Sequence, residues 1–147
     1  MCNKRYARQL ILPEIGPDGQ KRLAEASVLI VGLGGLGTPA ATYLTGAGVG
    51  RIGLCDHDTV GLANLQRQTL YTEAEIGLPK TECARKRLSA MSAHTVFDTY
   101  PRGLLPENAR GIIRRYDIVI DCCDNFATRY LIDDSCDAES KPWVYGS

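Results

Sequence analysis

Gly32-Leu33-Gly34-Gly35-Leu36-Gly37 fits G-x-G-x-x-G, a spacing suited to receiving a phosphate. The first Gly permits a tight turn. The second lets a phosphate approach the backbone, and the third lets a helix pack closely on a strand. The run follows the apolar stretch Val28-Leu29-Ile30-Val31 and opens a helical pattern, so unpaired N–H groups at the helix start face an anion. Asp56 ends the next apolar run, where a carboxylate can accept from ribose hydroxyls. The bland alternative is a Gly-rich βα turn with no ligand; the acid downstream favours a nucleotide loop. The motif alone does not choose among NAD, FAD, S-adenosylmethionine and ATP, so an NAD-dependent oxidoreductase is the first rival.

A second cluster is foreign to a dehydrogenase. The segment from Asp56 to Gln68 is long, polar and poorly periodic, and it follows a strand at the edge where ligands bind in α/β sheets. Asn64 and Arg67 are three apart, so one helical turn puts them on one face. Lys80 follows Pro79 at a helix start, where a cation opposes the helix dipole; it is either solvated or aimed at an anion. Asp124-Asn125 follows another strand, and an Asp there can hold Mg²⁺ through oxygen. Singly, each is a surface charge or a helix cap, and Asn125 or Thr128 can supply the cap. Together, two cations, an amide and a carboxylate suit a triphosphate with Mg²⁺ better than a nicotinamide.

These residues need a scaffold that gathers them. Strands are expected at Val28 to Val31, Arg51 to Asp56, Thr95 to Tyr100, Tyr116 to Cys122 and Lys141 to Gly146. Helices are expected at Gly34 to Ala47, Pro79 to Met91, Pro106 to Ile113 and Ala127 to Ala138. The alternation predicts a Rossmann-like, doubly wound α/β fold with a mainly parallel sheet. Residues 1–26 read as a helical N-terminal segment that the sheet does not require, with a Gly16-Pro17-Asp18-Gly19 turn leading into a helix over Gln20 to Glu25; 27–147 read as the nucleotide-binding domain.

Composition narrows the partners. The 147 residues suit one domain, and 17 basic residues balance 17 acidic ones, so no charge excess points to nucleic acid or a membrane surface. No apolar run approaches a bilayer span, and the N-terminus lacks a signal-peptide core, so a cytoplasmic location is expected. The six cysteines, at 2, 55, 83, 122, 123 and 136, form no Cys-x-x-Cys pair, so no zinc site is expected within the chain. They read as small buried hydrophobes in a reducing compartment, and the Cys122-Cys123 pair as free thiols.

The sequence resembles the ThiF/MoeB/HesA family, bacterial relatives of ubiquitin-activating enzymes. The resemblance is carried by Arg5 to Leu12, Val31 to Gly37, Gly46 to Gly50, Asp56 to Val60, Asn64 to Gln68, Gly77 to Lys80 and Asp121 to Asn125, in the family's order along nearly the whole chain. It implies an adenylyltransferase that activates the C-terminal carboxylate of a ubiquitin-like sulfur carrier, ending in Gly-Gly, with MgATP. By matching position, Gly32, Gly34, Gly35 and Gly37 would form the ATP loop and Asp56 would bind ribose. Asn64, Arg67 and Lys80 would hold the phosphates and Asp124 would bind Mg²⁺. Arg8 would be an arginine finger reaching into the partner subunit of a homodimer. Thr38 to Ala41 and Asn125 to Arg129 look more like the thiamine-pathway ThiF branch than the molybdopterin-pathway MoeB branch.

Such chemistry makes sense of the residue types. Attack of a carboxylate on the α-phosphorus brings two anions together, so neutralisation and alignment matter more than proton transfer. His57 and His94 are therefore read as incidental. Two departures stand out. Cys123 occupies a position usually held by Thr. The family's later part, with its two Cys-x-x-Cys pairs for Zn²⁺, its sulfur-handling Cys and much of the carrier groove, has no counterpart here. An inactive nucleotide-binding fragment is thus a further alternative for the chain taken alone.

Overall fold

A computed structural model describes residues 4–146, so Cys2 lies outside it. Five parallel strands, β1 (Ser27–Val31), β2 (Arg51–Cys55), β3 (Val96–Tyr100), β4 (Ile118–Asp121) and β5 (Trp143–Tyr145), form one sheet in the order β3-β2-β1-β4-β5. This is the doubly wound arrangement. The strand order reverses between β1 and β4, which opens a crevice at their carboxyl ends.

The apolar runs are buried on both faces, as a covered parallel sheet demands. Successive side chains point to opposite faces, so Val28 and Ile30 join one core and Leu29 and Val31 the other. The first core is closed by helices α3 (Gly37–Ala47) and α4 (Lys80–Met91), the second by α5 (Ala109–Ile113) and α6 (Phe126–Ala138). Each large apolar side chain so buried contributes about 1.5–3 kcal/mol.

Several boundaries differ from the sequence expectation. The helix after the glycine run begins at Gly37 rather than Gly34, because Gly34 to Leu36 are spent turning the chain over the strand ends. The helix expected from Pro106 begins at Ala109; Asn108 Oδ1 accepts from Leu105 N at 2.9 Å and holds the preceding residues as a turn. Tyr116 precedes β4 instead of opening it. Its ring fills the space above Gly53, where an added β-carbon would lie 2.6 Å from the phenol oxygen. The supposed Gly16 to Gly19 turn is itself helical.

That helix, α2 (Gly16–Glu25), is longer than expected because Pro17 in its first turn has a φ already suited to a helix. With α1 (Ala7–Leu10) it is bound to the sheet domain more closely than expected. Gln9 and Gln20 both donate to Ala47 O, at 3.1 and 2.9 Å, satisfying the carbonyl end of α3. Gly50 N and Arg51 N donate to Leu23 O and Ala26 O. No helix among the described residues is long and apolar enough to cross a membrane.

Candidate functional site

The crevice at the strand-order reversal encloses about 1190 Å³. Its floor is the glycine loop. Gly32 has φ +91°, and a β-carbon there would lie 2.6 Å from Cys122 O, so only glycine lets the loop pass under the end of β4. Leu33 is buried behind the loop and fastened at both ends of its peptide. Its N–H donates to Asp56 Oδ2 at 2.6 Å, and its carbonyl accepts from the Tyr71 hydroxyl at 2.9 Å. Gly34 and Gly35 are left facing the crevice. Gly37 does not line it; it packs against the Gly32 carbonyl, where the helix meets the strand end.

The polar segment after β2 supplies one wall. Asp56 Oδ1 accepts from Asp58 N at 2.7 Å, so this carboxylate shapes both the loop and its own chain while bordering the crevice. A single-turn 3₁₀ helix, Leu62–Asn64, leads into a turn in which Arg67 N and Gln68 N both donate to Asn64 O. Asn64 and Arg67 thus share one side, as their spacing predicts, and Arg67 lies along Gly35. Its guanidinium has only a long 3.4 Å bond to Ala63 O and no carboxylate partner among the described residues.

Lys80 is brought in by antiparallel contacts. Val60 N donates to Leu78 O, Gly77 N to Val60 O and Lys80 N to Asp58 O. Its side chain is 5% exposed, with Nζ 3.0 Å from Asp58 Oδ2. Of the two sequence alternatives, the solvated one does not hold: Lys80 is buried in the crevice wall and paired with Asp58. Asp56, His57 and Asp58 also offer ligand atoms within 4.8 Å of one another.

The loop after β4 supplies the other wall. Asn125 Oδ1 accepts from Thr128 N at 2.9 Å and caps α6, so Asp124 is not needed as the cap. Asp124 is exposed at the crevice and has no ion-pair partner among the described residues. A free carboxylate of this kind fits Mg²⁺, which binds through one or two carboxylates and completes its shell with phosphate and water. Cys123 Sγ reaches Asn125 O at 3.5 Å, the bond a hydroxyl would make more strongly.

Behind this loop lies a residue whose part the sequence did not disclose. Arg129 Nε donates to the wholly buried Asp121 at 2.8 Å, Nη2 donates to Cys123 O and Gly146 O, and Nη1 to the Tyr145 hydroxyl. It ties the loop before Asp124 to the end of β5. Arg129→Leu would leave a buried carboxylate unpaired. We expect a fall of many degrees in the thermal midpoint, only partly recovered by Arg129→Lys, whose point charge cannot span the same acceptors.

Cys55, Cys83, Cys122, Cys123 and Cys136 are free thiols. Burial pushes Cys55 up to about 12 and Cys122 and Cys123 up to about 11, so none is a thiolate near neutral pH. Arg8 is not in the crevice. Its helix is bonded to the far end of α3, an 11-residue helix whose ends are about 16 Å apart, farther than an arginine side chain extends.

The ThiF family model matches residues 6–147. The chain belongs to the ThiF family. It is 50% identical over 143 residues to a sulfur carrier protein adenylyltransferase of Thermus thermophilus, an alignment covering 97% of this chain and 53% of that protein. It is 54% identical over 143 residues to the adenylyltransferase and sulfurtransferase MOCS3 of Drosophila virilis, covering 97% of this chain and 32% of that protein. Among solved structures, E. coli tRNA N6-threonylcarbamoyladenosine dehydratase, TcdA, in complex with ATP, has a TM-score of 0.91 at 26% identity, covering 97% of this chain and 58% of that one. This ThiF-family chain therefore spans about half of the length of the first of these curated relatives and about a third of the second.

Proposed function

We propose that the crevice binds MgATP and serves to adenylate the C-terminal carboxylate of a ubiquitin-like sulfur carrier ending in Gly-Gly. The observation that carries this reading is that Arg67, Lys80 and Asp124, two cations and a free carboxylate, line the same crevice as the glycine loop. The sulfur-carrier adenylyltransferases among its relatives support the substrate class.

The residues divide the work. N–H groups of the turn from Gly34 to Leu36, which borders the crevice, receive phosphate oxygens. Asp56 accepts from ribose. Asn64 orients the phosphates, while Arg67 and Lys80 neutralise charge as the carboxylate approaches the α-phosphorus. Lys80, buried and bonded to Asp58, is held in one position by the protein itself, so its alignment costs little entropy. Mg²⁺ held by Asp124 would offset the charge of the departing pyrophosphate. Zn²⁺ belongs, in this reading, to the family's later Cys-x-x-Cys pairs and not to this chain.

Titration separates the rivals. MgATP should bind and NADH should not; NADH binding indifferent to Mg²⁺ would favour the oxidoreductase. MgATP binding by residues 1–147 without pyrophosphate exchange would describe an isolated nucleotide-binding part. Thr38 to Ala41 and Asn125 to Arg129 make a thiamine-pathway carrier the first to offer and a molybdopterin-pathway carrier the second, both in the cytoplasm.

Arg8 is read as acting in trans within a homodimer, because it lies too far from its own crevice. Arg8→Ala and Asp124→Ala variants, each inactive alone, should recover part of the activity when mixed. Measured exchange no greater than the sum of the two would oppose that role.

A further inference from the structure

Gln68 is left without a task by the roles above. It is 2% exposed and borders the crevice. Its Oε1 is buried and has no hydrogen-bond partner. Its Nε2 stands over the phosphate loop, 3.6 Å from where a β-carbon on Gly34 would be, and no other neighbouring atom comes within 4 Å of that point. A methionine would fill nearly the same volume with no orphaned acceptor, so packing alone does not account for the amide.

We propose that Gln68 is a ligand-contacting residue, its Nε2 donating to a phosphate oxygen seated over Gly34. The proposal rests on the reading of the crevice as a triphosphate site. An anion at that place selects the orientation of the amide: with the carbonyl outward, two negative groups would face each other. Turning the donor edge toward the ligand leaves the acceptor edge to the interior, where it is orphaned. Gln68 then adds direction to the neutralisation supplied by Arg67 and Lys80. It is neutral, so it can align an oxygen without adding to the charge of the wall.

Two variants test this by ATP titration calorimetry in Mg²⁺ and thermal unfolding, beside the unaltered protein. Gln68→Met keeps the length and removes the donor; ATP affinity should fall about tenfold while the melting temperature holds or rises, because the orphaned acceptor is gone. Gln68→Glu directs a carboxylate at the phosphate and should weaken ATP about a hundredfold. If the unaltered protein binds ATP and Gln68→Met binds it within twofold, Gln68 has no ligand role and the triphosphate reading survives. If the unaltered protein fails to bind ATP, both fall. Should Gln68→Glu not fold, Gln68→Met alone decides.

Discussion

Asp124→Ala is expected to lower ATP–pyrophosphate exchange by roughly 10²–10³-fold, the usual loss when one preorganised electrostatic group is removed. Folding should be untouched, because Asp124 is exposed, lacks an ion-pair partner and leaves the capping of α6 to Asn125. The loss should therefore appear with an unchanged melting temperature. Asp124→Asn should lose nearly as much, since its amide keeps an oxygen ligand but not the charge that attracts Mg²⁺. Raising Mg²⁺ should recover part of the Asn variant's activity. Retention of exchange within a few-fold of the unaltered protein would place the metal elsewhere, with the Asp56, His57 and Asp58 group the next set of ligand atoms to remove.

Gly37→Ala is expected to have the largest effect on stability. In an ordinary helix this change stabilises by about 1 kcal/mol. Here the added β-carbon would sit 1.8 Å from the Gly32 carbonyl oxygen, backbone against backbone, with no flexible side chain to yield. The helix must move off the strand end or the glycine loop must unfold. A loss of roughly 4 kcal/mol or more follows, against a total of about 5–15 kcal/mol for a domain. The melting temperature should drop by about 10 °C or further, and ATP should bind poorly even below it. Gly46→Ala in the same helix, with no atom within 4 Å of the new carbon, is the control and should not destabilise.

The contrast between these glycines indicates what a sequence discloses here. Strands β1 and β4 were legible because their apolar runs are uninterrupted, and the loop because its glycines have fixed spacing. Asn64 and Arg67 were legible as a pair because one turn aligns them. Gln68, Tyr71 and Arg129 were not legible as parts of the site. Their work is done through contacts made across the fold: Tyr71 with Leu33, and Arg129 with Cys123 and Gly146. No local pattern encodes such contacts. The attachment of residues 4–26 is hidden in the sequence for the same reason, since Gln9 and Gln20 find their acceptor only beside Ala47. Burial of Lys80 was also beyond reach, as it depends on the antiparallel pairing of Asp58 to Val60 with Gly77 to Lys80.

The most direct test of adenylation is the exchange of labelled pyrophosphate into ATP by the protein, with a small carrier protein ending in Gly-Gly. Label should enter ATP only when Mg²⁺ and the carrier are both present, and a carrier shortened by its last two glycines should support none. Absence of exchange with thiamine- and molybdopterin-type carriers alike, together with NADH binding that ignores Mg²⁺, would contradict it.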